Sequence, residues 1–167
     1  MRYANIYDFD VVNGNKIGVS IFFQGCSHHC KSCFNKETWD FDGGKELTQK
    51  VRDKILEVVK KPYVDYVSFL GGEPLDQPLK ELYDFISDVK LATQKPIYLW
   101  TGYTYEDIMK DSNKYLIIRD CVDYLIDGKF DESQKDLTLW LRGSKNQRVI
   151  DVKKSLDNNK IITLEVE

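Results

Sequence analysis

Three of the four cysteines stand in one short run, Cys26-Ser27-His28-His29-Cys30-Lys31-Ser32-Cys33, with the spacing C-x3-C-x2-C. Three thiolates on a tight loop can ligate three irons of a four-iron cluster and leave the fourth iron without a protein ligand. An open coordination position is what a catalytic metal site needs and a structural one lacks. Gly25 lets the backbone turn sharply before the first ligand, and Phe34 follows the last one, where it can pack beside a planar ligand or shield the cluster. Zinc is the alternative, with His28 or His29 completing a Cys3His tetrahedron, although zinc ligands usually come as two separated pairs. Solvated loop residues are the simpler expectation for both histidines. The fourth cysteine, Cys121, precedes an apolar stretch and reads as an inert core thiol.

These residues must be positioned by a fold, and the bulk properties bound it. The chain has 167 residues, enough for one self-supporting core, and it is treated as a single domain over 1–167. Hydrophobic residues at 42% and charged residues at 31% describe an ordinary globular protein. With a net charge of −3 and no basic stretch, nucleic acid is not expected as a partner. No apolar run reaches the roughly 20 residues of a membrane span. Residues Met1 to Asp10 mix aromatic and polar side chains and do not resemble a secretory leader, so a cytoplasmic location is expected. Clustered cysteines without export point to a metal site and away from a disulfide framework.

Patterning alternates strand and helix, with no repeat and no linker. Strands are predicted at Ile17–Phe23, Tyr66–Leu70, Ile97–Thr101, Val122–Asp127 and Ile161–Val166. Helical spacing covers Leu47–Lys60, through Val51, Ile55, Leu56 and Val59, and Leu79–Leu91, through Leu82, Phe85, Ile86 and Val89. A further helix, Tyr105–Ile118, is open to a break at Asp111-Ser112-Asn113, and Ser155–Asn159 is a weak helix or turn. Repeated strand–helix units imply an α/β fold with a mainly parallel sheet, whose ligands bind beyond the carboxyl ends of the strands. Cys26, Gly71-Gly72-Glu73, Thr101-Gly102 and Asp127-Gly128 each follow a predicted strand. One edge of one sheet should therefore collect them all.

The cysteine run followed by an aromatic resembles the signature of the radical S-adenosylmethionine (SAM) superfamily. Phe69-Leu70-Gly71-Gly72-Glu73-Pro74 is similar to that superfamily's Gly-Gly-Glu motif, with Leu70, which has no hydroxyl, standing where many relatives carry Ser or Thr. Val12-Asn13-Gly14, Phe23-Gln24-Gly25-Cys26, Asn35-Lys36-Glu37-Thr38-Trp39, Trp100-Thr101-Gly102-Tyr103, Asp127-Gly128-Lys129-Phe130 and Arg142 to Arg148 follow in order. From about Val11 to Val152 the chain thereby resembles the family of anaerobic ribonucleoside-triphosphate reductase activating proteins.

That resemblance implies an incomplete (β/α) barrel of the radical SAM type, open on one side to a protein substrate. It implies one [4Fe-4S] cluster on Cys26, Cys30 and Cys33 and SAM chelated by the free iron. A reduced cluster would cleave SAM to methionine and a 5′-deoxyadenosyl radical. That radical would take hydrogen from a glycine Cα of the anaerobic (class III) ribonucleotide reductase, leaving a glycyl radical. A flavodoxin-like protein is the implied electron donor. Gly71, Gly72 and Glu73 are expected at the methionyl ammonium, and Ser32 and Phe34 are expected to touch SAM through backbone and ring. Thr101 either bonds the ribose or a carboxylate oxygen or is structural. Asp127 and Lys129 belong either to the site or to a surface ion pair, and Arg142–Arg148 contacts either SAM or the partner.

A glycyl-radical activase suits so short a chain, because little sequence remains to enclose a large small-molecule substrate. A radical SAM enzyme acting on a small molecule, such as a nucleobase-precursor ring contraction, and a non-catalytic zinc module are the competing readings.

Overall fold

The computed structural model describes residues 1–164. Seven strands form one open mixed sheet: β1 (Arg2–Asp10), β2 (Gly18–Phe23), β3 (Lys45–Glu46), β4 (Tyr66–Gly71), β5 (Ile97–Trp100), β6 (Tyr124–Asp127) and β7 (Arg148–Asp151). Their order across the sheet is β3-β1-β2-β4-β5-β6-β7. The central run β2-β4-β5-β6 is parallel, as the strand–helix alternation requires. Antiparallel strands flank it on both sides, β1 against β2 and β7 against β6, so the sheet is less uniformly parallel than the sequence pattern implied.

Two of those flanking strands are absent from the sequence reading. β1 pairs with β2 through two register shifts, between Tyr3 and Asn5 and between Tyr7 and Asp10, which disrupt the period-2 pattern that would have marked it. β7 is four residues long and lies at the end of the segment read only as basic. The expected last strand, Ile161–Val166, is reduced within the described residues to a single bridge from Thr163 to Ile150; Glu165 and Val166 lie outside them.

Helices α1 (Gln49–Val59), α2 (Leu79–Thr93), α3 (Tyr105–Met109) and α4 (Ser112–Cys121) return the chain between parallel strands, and α5 (Val152–Asn158) follows β7. Local chemistry sets their starts. Thr48 caps α1 by accepting from the Val51 amide, Thr104 caps α3 through Asp107 N, and Asp151 caps α5 through Lys154 N. The anticipated break in Tyr105–Ile118 falls at Asp111, whose carboxylate accepts from Asn113 N and Lys114 N and starts a new helix. Among the described residues no helix is long and apolar enough to cross a membrane.

Alternation along the strands divides two cores. Val67, Phe69, Ile97, Leu99 and Leu125 pack with Leu82, Phe85, Ile86, Ile108 and Ile117 on the helix-covered face. The intervening Tyr66, Tyr98, Trp100 and Ile126 form a second cluster on the opposite face, joined there by Trp140 and Leu141 from the loop before β7. Helices thus cover one face and loops the other. The carboxyl ends of the parallel strands remain accessible.

Candidate cluster and cofactor site

At that edge lies a cavity of about 280 Å³. Cys26, Cys30 and Cys33 line it, together with Gly71, Gly72 and Glu73 after β4, Thr101 and Gly102 after β5, and Gly128 and Lys129 after β6. Residues scattered over a hundred positions meet because four parallel strands end on the same side. All three cysteines are free thiols. Burial pushes the Cys26 thiol up to about 11 and raises Cys30 as well, so both are protonated at neutral pH until a metal displaces the proton. The amide of Asn35 donates to Cys33 Sγ at 3.4 Å, an arrangement suited to a thiolate ligand.

The loop is held from several directions. Gly25 adopts φ 114°, giving the sharp turn expected before Cys26. Its amide donates to the Thr38 carbonyl, and its own carbonyl accepts from Glu73 N. Asp76 Oδ2 accepts from both the amide and the hydroxyl of Ser27, at 2.8 and 2.7 Å, while its Oδ1 takes the Tyr103 hydroxyl at 2.5 Å. Burial would raise the Asp76 carboxyl, but the bonds from Tyr103 and Ser27 outweigh it and leave the group below the usual carboxylate value.

His29 is exposed on the loop, as the sequence suggested, but His28 is not a solvated residue. The His28 side chain is almost fully buried and lies edge-on to Tyr103. Its Nε2 donates to Glu73 Oε1 at 2.6 Å. His29 stacks on Trp39 with ring centroids 4.4 Å apart. Among the described residues no three His, Cys, Asp or Glu side chains gather as one metal ion requires. His28 Nε2 is taken up by Glu73 and the three cysteines remain as donors, a set that fits a cluster with its ligands on separate irons.

Glu73 is fully buried, and its carboxylate already has four donors. Oε1 accepts from His28 Nε2, Thr101 Oγ1 at 2.9 Å and Gly102 N at 2.6 Å, and Oε2 accepts from Leu75 N at 3.0 Å. Gly102 is small by necessity, because a Cβ there would sit 2.6 Å from the His28 ring.

Phe34 is 56% exposed and faces Phe130 across 5.0 Å, so it is no core residue. Ser32 does not line the cavity; its backbone is left-handed at φ 58° and its hydroxyl donates to Glu132 at 2.7 Å. Asp127 is also no surface charge. It is 1% exposed and paired with Arg148, whose Nε lies 3.0 Å from Oδ1 and whose terminal nitrogen lies 2.5 Å from Oδ2. Cys121, the last residue of α4, is a core thiol pushed up to about 12 by burial. Sequence reasoning weighed His28 only as a zinc ligand or a solvated loop residue and missed Asp76 and Trp39 as site residues; the partners of His28 and Asp76 lie far along the chain.

Residues 12–150 match the family model described as a 4Fe-4S single cluster domain. Over 151 residues the chain is 38% identical to the anaerobic ribonucleoside-triphosphate reductase-activating protein of Enterobacteria phage T4, covering 89% of this chain and 93% of that protein. The protein of the same name from Vibrio cholerae is also 38% identical over 151 residues, covering 88% and 96% of the two chains. That of Escherichia coli K12 is 31% identical over 153 residues, covering 89% and 97%. The chain belongs to this family of reductase-activating proteins. Its relatives are thus named as activators of the anaerobic reductase, and the cysteine-lined cavity falls inside the segment matching the iron–sulfur domain.

Proposed function

We infer that this activating protein is a radical SAM enzyme that installs a glycyl radical on an anaerobic ribonucleoside-triphosphate reductase. The observation that carries this reading is the meeting of three free thiols with the Gly-Gly-Glu turn and the Thr101-Gly102 turn in one cavity. Cys26, Cys30 and Cys33 would hold the [4Fe-4S] cluster. With SAM and a reductant present, the chemistry supplied is one-electron cleavage of the sulfonium, yielding methionine and a 5′-deoxyadenosyl radical that takes hydrogen from a glycine Cα.

The chain's own residues bind and orient. In this reading the Gly71–Glu73 turn receives the methionyl ammonium through its backbone carbonyls, because the Glu73 carboxylate is already committed to four donors. Glu73 holds the turn against the cysteine loop. Thr101 acts chiefly through Glu73, and Phe34, exposed at the cavity wall, offers its ring to SAM. Ser32 contributes its backbone conformation, with its hydroxyl on Glu132. The open sheet with helices on one face would be an incomplete barrel of the radical SAM type, and a flavodoxin-like protein would supply the electron.

The test is electron paramagnetic resonance on an anaerobic mixture of reconstituted protein, SAM, reductant and the cognate reductase. A glycyl doublet that depends on SAM and on Cys26 is the expected result. Cluster formation and SAM cleavage without that doublet would remove the protein substrate from the reading. Absence of both cluster and cleavage would remove the radical chemistry.

A further inference from the structure

Beside the cysteine cavity runs a second, larger depression of about 1020 Å³. One wall is β1 with the exposed rings of Tyr7 and Phe9; the other is the loop Leu137–Gly143 before β7. Asn13, Phe34, Asn35, Leu70 and Gly143 line both spaces, so the groove opens directly into the cavity where the thiols stand. An occupant of this groove reaches the reacting centre from the side.

The β1 wall has an unfilled backbone edge. On its outer side β1 pairs only through Arg2 and Tyr3, with the two-residue strand β3. From Ala4 to Phe9 that edge has no strand partner among the described residues. Open strand edges are usually guarded by charges, above all Lys, by Pro or by bulges, and here Asp8 and the register shifts of β1 are the guards present. Ala4-Asn5-Ile6-Tyr7-Asp8-Phe9 contains no Lys and no Pro, and it displays Phe9 at 62% exposure. Facing it, Leu137 is 73% exposed. Exposed aromatics and aliphatics bordering an unpaired strand suit a partner that contributes both main-chain bonds and side-chain anchors.

The opposite wall is fixed. Trp100 Nε1 donates to the Leu141 carbonyl at 2.8 Å, and Leu141 holds a left-handed backbone at φ 61°. Gln147 Oε1 accepts from Gly143 N at 2.8 Å. On this wall the buried Nε of Arg142 has no acceptor among the described residues.

We propose that the Ala4–Phe9 edge of β1 and the Leu137–Gly143 loop form the docking groove for an extended segment of the reductase, which adds to β1 as a strand. The proposal rests on the activase reading above and specifies where its protein substrate sits. The unpaired edge has room for about six residues, or roughly 20 Å of extended chain. Glycine suits the end of such a segment, since a residue without a side chain can pass Phe34 and Leu70 into the cavity.

The experiment uses the reconstituted holoprotein and its cognate reductase. Phe9→Asp and Leu137→Asp alter exposed side chains outside the cluster and cofactor cavity, and Leu91→Asp, on an equally exposed apolar residue of α2, is the control. Each of the first two should weaken reductase binding and lower the glycyl radical yield by about 10-fold or more, the scale of interface anchors. Reductant-driven SAM cleavage without the reductase should be unchanged, as should every property of the control. Hydrogen exchange should show amides within Ala4–Phe9 gaining protection when the reductase is added. If wild-type protein forms the glycyl radical and both variants bind and react equally well, the groove proposal is overturned and the activase reading stands. If wild-type protein binds through this groove without radical formation, the activase reading fails and the docking proposal survives. Protection of β1 that rises with activase concentration alone would assign the groove to a second copy of the chain and overturn the proposal, as would no binding by the wild-type pair.

Discussion

His28 Nε2 and Glu73 Oε1 lie 2.6 Å apart, joining the cysteine loop after β2 to the Gly-Gly-Glu turn after β4. The two residues are 45 positions apart, so their meeting is fixed by the fold and not by their spacing in the chain. Through Thr101 Oγ1 and Gly102 N the same carboxylate also reaches the turn after β5. One buried side chain therefore clamps three strand ends around the cavity, an arrangement that keeps a cofactor site rigid before any cofactor binds.

Replacing Glu73 with Gln should loosen that clamp. The amide nitrogen of Gln cannot accept, so at least one buried donor among His28, Thr101, Gly102 and Leu75 loses its partner, at a cost of about 3 kcal/mol. Urea unfolding of Glu73→Gln should show a lower midpoint with an unchanged slope. The iron content after reconstitution should fall as well, because the cysteine loop is anchored through His28. Unaltered stability would show that the four bonds are replaceable by water.

The cysteines separate by role. Cys26→Ala, Cys30→Ala and Cys33→Ala should each leave a folded chain that retains little of the four irons and four sulfides of a full cluster. Cys121→Ala should keep them and lose only about 1 kcal/mol of packing in the α4 core. Iron and sulfide assays with the visible charge-transfer absorption distinguish the two classes. Full iron retention in any of the first three variants would remove that residue from the ligand set.

Much of this arrangement is legible in the residues. β2, β4, β5 and β6 are covered on both faces and appear as short, nearly continuous apolar runs closed by glycine or a polar turn. The break at Asp111 is visible because an aspartate followed by Ser and Asn is an N-cap in waiting. β1 is not legible, because Tyr7, Asp8 and Phe9 are all exposed and register shifts interrupt its pairing. At the site, residue type and spacing mark the three cysteines and the Gly-Gly-Glu turn. Sequence weighs His28 only as a zinc ligand or a solvated loop residue, not as the partner of Glu73, and it leaves Asp127 open between the site and a surface ion pair until β7 brings Arg148 beside it.

Asp127 and Arg148 make a coupled pair suited to a double-mutant test. Arg148→Met leaves a carboxylate that is 1% exposed with only the Tyr105 amide as partner, a loss of about 4 kcal/mol. Adding Asp127→Asn removes the stranded charge and keeps an acceptor for Tyr105 N, so the double variant should recover most of that loss. Glu106, the exposed second partner of Arg148, should matter little when changed to Gln, by about 0.5 kcal/mol. Equal destabilisation in Arg148→Met and the double variant would mean that lost packing, and not buried charge, sets the cost.

Asp76 predicts an acid-sensitive link between the cysteine loop and the β5 turn. Burial raises its carboxyl, but the Tyr103 and Ser27 bonds prevail, and the folded value lies below the ordinary 3.8. A carboxyl depressed by folding adds stability that is fully present above its unfolded value and disappears as the pH falls through the folded one. Urea unfolding of the cluster-free chain, measured from about pH 7 to about pH 3, should therefore show stability declining at the acid end. Asp76→Asn should be less stable than wild type at neutral pH, and the gap should narrow as the wild-type carboxyl is protonated. A gap of constant size across that range would mean that Asp76 holds Ser27 and Tyr103 by geometry alone, without a contribution from its charge.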